Sequence, residues 1–203
     1  MKRTFDVRLS CHCGNVQGLI RGVTPRTCNH GVCMCDDCQL YAAFLGGEGL
    51  LDQNGGTEIT QVGHNQVTID TGLENVACVK LYRKGMHRWY ARCCKTPLVN
   101  TMGPKSLFAG VVHACVKDAT DGATLLQALG PIRERVQGKF GKGELPPDAQ
   151  QTVSFRLILH ILALLARWGV TRAYTPSVFF GSGVPFVTPQ VLSKDDRTAL
   201  SPA

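Results

Sequence analysis

Val76-Ala77-Cys78-Val79-Lys80-Leu81-Tyr82-Arg83, then Lys84-Gly85, then Met86 to Ala91, is the stretch that decides the fold. Val76, Val79 and Tyr82 in the first arm and Trp89 and Tyr90 in the second favour strands, and the Lys84-Gly85 break lets the second arm return antiparallel to the first. The same rhythm continues on either side. Residues 5 to 10 alternate weakly, Val16 to Arg21 reads as a strand, and Thr24-Pro25 as a turn. Glu58 to Val62 and Gln66 to Ile69 are short strands around His64-Asn65, after the strong turn signal Asn54-Gly55-Gly56. Leu107 to His113 adds another strand. Between Val16 and His113 no helix alternates with the strands, so the expected fold is mainly β and antiparallel.

The pattern changes after about Lys117, which divides the chain into a β domain over 1–117 and a helical and irregular C-terminal extension over 118–203, packed on it. Asp121 to Leu129 starts a short helix with Asp121 as its cap, stopped by Gly130-Pro131. Gly138 to Pro147 reads as a loop. Ala149 to Trp168 is the best helix, with Leu157, Ile158, Ile161, Leu162, Leu164, Leu165 and Trp168 at helical spacing. Arg156, His160, Ala163 and Arg167 form only a narrow opposite stripe, so the wide apolar arc needs the sheet or a second copy against it; a homodimer through helix 149–168 is one expectation. The tail, with Thr175-Pro176 and Gly181-Ser182-Gly183, is expected to wrap the surface.

The chain has 203 residues, ten of them cysteine, with a formal net charge of +7. No apolar run reaches the ~20 residues of a membrane span. The N-terminus carries charge where a secretory signal has an apolar stretch, so the expected location is cytoplasmic. There thiols stay reduced, and clustered cysteines read as metal ligands. Basic residues outnumber acidic ones between Pro131 and Arg172, yet they are not interleaved with aromatics, and nucleic acid is not the expected partner.

Six cysteines lie between Cys11 and Cys38. Cys33-Met34-Cys35-Asp36-Asp37-Cys38 puts three thiols within six residues, with alternation followed by a two-residue turn. Zn²⁺ takes sulfur and nitrogen ligands in a tetrahedron, so three cysteines leave one corner for water or a thiol, unless a fourth ligand from elsewhere closes it. Cys11-His12-Cys13-Gly14 suits a metal knuckle, because glycine lets the backbone bend tightly. Cys93-Cys94 after the Met86 to Ala91 strand offers two further thiols to close a site with Cys11 and Cys13. Cys78 and Cys115 lie in apolar strands and read as core thiols. His12, His30, His64, His87 and His113 read as strand or turn residues before ligands, and Arg83, Lys84, Arg88, Arg92 and Lys95 as the solvated face of a hairpin before an anion site.

The order Cys11-His12-Cys13-Gly14, then Cys33 to Cys38, then Cys94-Lys95-Thr96-Pro97-Leu98 resembles the glutathione-dependent formaldehyde-activating enzyme family, also called the centromere-protein-V-like family, over roughly residues 8 to 115. The resemblance implies an Mss4-like zinc-binding β fold with two zinc sites. It implies a structural zinc held by Cys11, Cys13 and the Cys94 region, and a second zinc at Cys33, Cys35 and Cys38 where a substrate thiol binds. It further implies carbon–sulfur lyase chemistry, making or breaking S-hydroxymethylglutathione from glutathione and formaldehyde. The region beyond about 117 looks like the extension of an uncharacterised branch. The pattern departs from the family at two places: the first cysteine of its last motif falls on Ala91 and its glycine on Lys95. Cys93 stands next to Cys94 as a substitute ligand, although neighbours on a strand point apart. Cys28, Cys78 and a histidine are other substitutes, and Cys28 and His30 are also near enough in sequence to close the Cys33 group. Asp36 and Asp37 are candidates to move the hydroxyl proton, against a plainer role as loop carboxylates. The rival to a lyase is a non-catalytic zinc-stabilised binding module.

Overall fold

The computed structural model describes residues 3–47 and 49–200. Alternation builds the first strands: β1 (Phe5–Ser10) buries Val7 and Leu9, and β2 (Gln17–Val23) buries Ile20 and Val23. β3 (Asn29–Cys33) runs into helix α1 (Asp36–Phe44). β4 (Thr57–Val62), β5 (Val67–Thr71), β6 (Val76–Lys80), β7 (His87–Ala91), β8 (Pro97–Thr101), β9 (Ala109–Val112) and β10 (Val116–Ala119) follow. β6 and β7 pair antiparallel with Cys78 opposite Trp89, as the hairpin reading requires. The first arm stops at Lys80 rather than Arg83, because the turn closes early, with the Gly85 N–H on the Tyr82 carbonyl at 2.8 Å. Then come α2 (Leu125–Leu129), β11 (Arg135–Val136), α3 (Phe155–Val170), β12 (Phe180–Gly181), β13 (Val184–Pro185), β14 (Gln190–Val191) and α4 (Lys194–Leu200).

Two sheets enclose the main core. One has the order β10-β1-β2-β5 and the other β11-β3-β4-β9-β8-β7-β6-β14. Val7, Ile20 and Val23 of the first meet Val62, Trp89, Val99 and Val111 of the second. Trp89 is fully buried and its indole N–H donates to Thr101 Oγ1 at 2.9 Å, so its polar atom is satisfied inside the core. The outer face of the large sheet is covered by helices. Leu40 and Tyr41 of α1, with Leu45 just after it, pack on Ala77, Val79 and Tyr90, while Leu164 and Trp168 of α3 pack near Leu107, Phe108 and Ala173.

The fold is therefore mainly β, and several details differ from the sequence reading. The long helix starts at Phe155, six residues after Ala149, because Ser154 caps it through the Leu157 N–H at 3.1 Å. It buries Leu157, Leu164 and Trp168 but leaves Phe155, Leu159 and Leu162 exposed, a narrower covered stripe than the apolar arc. The short helix α2 is capped by Thr124, whose hydroxyl accepts from the Gln127 N–H while the Gln127 side chain returns to the Thr124 N–H. Asp121 is not its cap. The sheets are not wholly antiparallel: β11 runs parallel to β3, and β14 parallel to β6. These two strands come from the extension and flank the sheet on both sides. Nor does the tail only wrap the surface, since Phe179 is fully buried against Trp89 with ring centroids 5.0 Å apart. The division at 117 falls inside β10. No helix among the described residues is long and apolar enough to cross a membrane.

Candidate metal centres

Cys11 and Cys13 follow the end of β1, where Gly14 takes φ +79° and lets the chain turn back on itself. Cys93 and Cys94 lie in the turn after β7. Their sulfurs meet: Cys13 to Cys93 is 3.2 Å, Cys11 to Cys13 3.6 Å, Cys93 to Cys94 3.8 Å and Cys11 to Cys93 3.9 Å. Adjacent Cys93 and Cys94 point to one place because they are in a turn and not on a strand. Lys95 completes that turn with φ +59°, the left-handed conformation that glycine adopts most easily, at the position where the resembled pattern carries glycine. Thr96 links the two halves: its hydroxyl accepts from the His12 N–H at 2.9 Å and lies 3.1 Å from Cys94 Sγ. The Val16 N–H donates to Cys11 Sγ at 3.2 Å. Burial would raise Cys94, but the Thr96 hydroxyl and backbone N–H donors outweigh it and bring this thiol down to about 6. The surroundings thus favour a thiolate at Cys94, while burial and the neighbouring sulfurs push Cys93 up to about 12.

The second group sits where β3 hands over to α1. Cys33 ends the strand, Cys35 is the residue before the first helical turn, and Cys38 lies within that turn. The Cys38 N–H donates to the Cys35 carbonyl at 3.0 Å. The expected two-residue turn is thus the opening of a helix, and Asp36 and Asp37 are its first-turn acids rather than loop residues. The three sulfurs lie within 4.8 Å of one another. Crowding keeps them protonated: Cys33 is pushed up to about 11, chiefly by its hydrogen bond to Cys35, and Cys38 to about 12, chiefly by its hydrogen bond to Cys33 and then by burial. Three thiolates this close need a cation between them. Both cysteine groups could hold a metal ion.

Neither Cys28 nor His30 joins the second group. Cys28 Sγ donates to the Leu129 carbonyl at 3.4 Å. His30, three residues from Cys33 on the same strand, faces the other side of the sheet, with its ring on the Gly130 carbonyl and Glu58. Cys78 and Cys115 are buried, each with a backbone carbonyl near its sulfur. Arg88 departs from the solvated hairpin face expected for it: it is 3% exposed, stacks 5.1 Å from the Tyr41 ring and faces Asp37 Oδ2 at 3.8 Å. Lys95 stays exposed, as expected, with its ammonium 5.2 Å from the Tyr90 ring centroid.

A third group escaped the sequence reading. Glu58 Oε1 lies 2.8 Å from His30 Nε2 and 2.6 Å from His113 Nδ1. The outer ring nitrogens reach the Gly130 carbonyl at 2.9 Å and Thr60 Oγ1 at 2.8 Å. The two histidine hydrogen bonds hold the Glu58 carboxyl well below the usual carboxylate range. The rings are stacked, 4.6 Å apart and 12° from parallel. The ligand atoms of these three residues lie within 4.8 Å of one another, as in the cysteine groups, but a cation in the plane of one ring would lie off the plane of the other. The three residues come from β3, β4 and the turn after β9, and strand pairing alone unites them.

Cys33, Cys35 and Cys38 open on a cavity of about 350 Å³ beneath α3. Asp37 and Arg88 share its wall. No match is found among curated proteins. Residues 3–189, which include both cysteine groups and α3, match a family model described as a family of unknown function, DUF6151, and the chain belongs to that family.

Proposed function

We propose that this protein binds two zinc ions and is a carbon–sulfur lyase acting on thiol adducts, of the kind that S-hydroxymethylglutathione represents. The carrying observation is that all three thiols of the Cys33 group line a cavity large enough for a small substrate. The donor sets fit zinc: four thiols at Cys11, Cys13, Cys93 and Cys94 suit a closed structural ion, and three at Cys33, Cys35 and Cys38 leave a corner of the tetrahedron for a ligand. A zinc ion there would supply the positive charge that holds a substrate thiol as thiolate. Asp37, on the cavity wall, takes the hydroxyl proton of the adduct as the carbon–sulfur bond breaks to leave formaldehyde and the thiolate; the reverse direction returns it. Arg88, facing Asp37, keeps that carboxylate oriented.

The same reading takes the two-sheet fold as Mss4-like and the chain as a relative of the formaldehyde-activating enzymes. Ten unpaired cysteines suit a reducing compartment such as the cytoplasm. A homodimer would cover Phe155, Leu159 and Leu162 on the outer side of α3. The test is native mass spectrometry of the zinc-loaded protein and of Cys35→Ala, each with and without 2-mercaptoethanol. Two zincs in the parent, one in the variant and a thiol adduct in the parent alone are expected, followed by turnover of a formaldehyde–thiol adduct. Two zincs without an adduct would leave a non-catalytic zinc-stabilised module.

A further inference from the structure

The floor of the cavity is one row of facing residues across five strands. Arg88 of β7 stands opposite Asn100 of β8, Asn100 opposite Gly110 of β9, Gly110 opposite Gln61 of β4, and Gln61 opposite Asn29 of β3. All five line the cavity. Gly110 leaves the middle of the row open, and a Cβ there would already come within 3.2 Å of Ile59. Asn29 donates through Nδ2 to Gln61 Oε1 at 3.0 Å. The Asn29 and Asn100 side-chain oxygens have no hydrogen-bond partner, although the residues are only 7% and 4% exposed. Buried amide oxygens are costly to leave unpaired, so two acceptors wait on this floor for a donor.

Much of the rest of the wall is hydrocarbon. Ile59, Phe108, Val136 and Val153 surround the space, and Leu157 and Ile161 of α3 close it from above. Arg88 is the one cation among the described lining residues, and Asp37 and Tyr41 already engage it. Asp37 and Glu134 contribute carboxylates, and a metal-bound group of three thiolates adds further negative charge. A peptide thiol such as glutathione brings two carboxylates. Buried here, they would lose water and find no free cation in exchange.

We infer that the thiol bound beside Cys33, Cys35 and Cys38 is a compact molecule with an apolar body, seated under Leu157 and Ile161, with one hydrogen-bond donor directed at the Asn29–Gln61–Asn100 floor, and that it is not a peptide thiol. This rests on the reading of the Cys33 group as a thiol-accepting metal site. It changes the substrate class from the one the sequence resemblance implies, and it gives α3 the role of setting that class.

The test loads the full chain with cobalt(II), whose thiolate charge-transfer bands report a newly bound sulfur. Benzyl mercaptan, glutathione and 2-mercaptoethanol are titrated separately. Benzyl mercaptan should bind at least about tenfold more tightly than glutathione, because its ring buries apolar surface that the peptide lacks. Ile161→Glu and, independently, Val153→Glu should narrow that ratio. Glutathione binding as tightly as benzyl mercaptan, or a ratio untouched by both substitutions, would overturn the inference while leaving the open metal site standing. No spectral change even with 2-mercaptoethanol, which has almost no body to accommodate, would overturn the thiol-accepting site and the inference with it.

Discussion

At the scale of single residues, chemistry was legible where spacing alone gathers the groups. Cys33, Cys35 and Cys38 are within one strand end and one helical turn, so their convergence could be read directly. The pairing of Cys93 with Cys94 was harder, because it depends on a left-handed Lys95 that no periodicity reveals. The His30–Glu58–His113 group was not legible at all, since its members meet only through strand register. His64 shows a further effect of position. It is fully buried, its ring parallel to Phe180 and its Nδ1 3.2 Å from Ser177 Oγ. Burial lowers its pKa from 6.5 to about 4. Between those values the unfolded chain binds a proton that the folded chain refuses, so stability falls as pH drops through that window. Urea unfolding at pH 7 and pH 4.5 should show the parent losing about 2 kcal/mol more than His64→Leu. Metal-ligand protonation affects both proteins equally and cancels in the difference. Equal losses would show that His64 carries no such penalty.

At the scale of elements, strands were the easiest to find, because a half-buried strand writes its alternation into the sequence. Two-residue strands such as β11 and β14 are too short to show a period, and only their neighbours make them strands. The starts of two helices differ from the sequence reading for a local reason: the capping residues Ser154 and Thr124 decide where α3 and α2 begin, while composition upstream suggests earlier starts. Ser154 also hydrogen-bonds Glu134, which lines the cavity, so the cap fixes the helix that roofs it. Ser154→Ala should therefore cost about 1 kcal/mol and lower the melting temperature by about 2–4 °C. An unchanged melting temperature would mean that α3 is held by packing alone.

At the scale of the whole molecule, the mainly β architecture was legible and the unity of the chain was not. The extension supplies β11 and β14 to the large sheet and Phe179 to the core between the sheets. The tail reads as a surface wrapping in the sequence because it has little regular structure of its own. Phe179→Ala should cost about 3–5 kcal/mol, as a fully buried ring does. A loss below about 1 kcal/mol by urea unfolding would mean the tail is a detachable wrapper.

The unity of the molecule matters for the chemistry, since cysteines from the β region and α3 from the extension meet at one cavity. The central claim is that one cysteine group is closed with four sulfurs and the other open with three. X-ray absorption at the zinc edge measures the sulfur count per metal, at a zinc–sulfur distance of about 2.3 Å. For the protein with two zincs the account predicts an average of about 3.5 sulfurs, the mean of four and three, rising to about 4 when a small thiol is added. An average of about 4 before any thiol is present, or no rise after it, would contradict it.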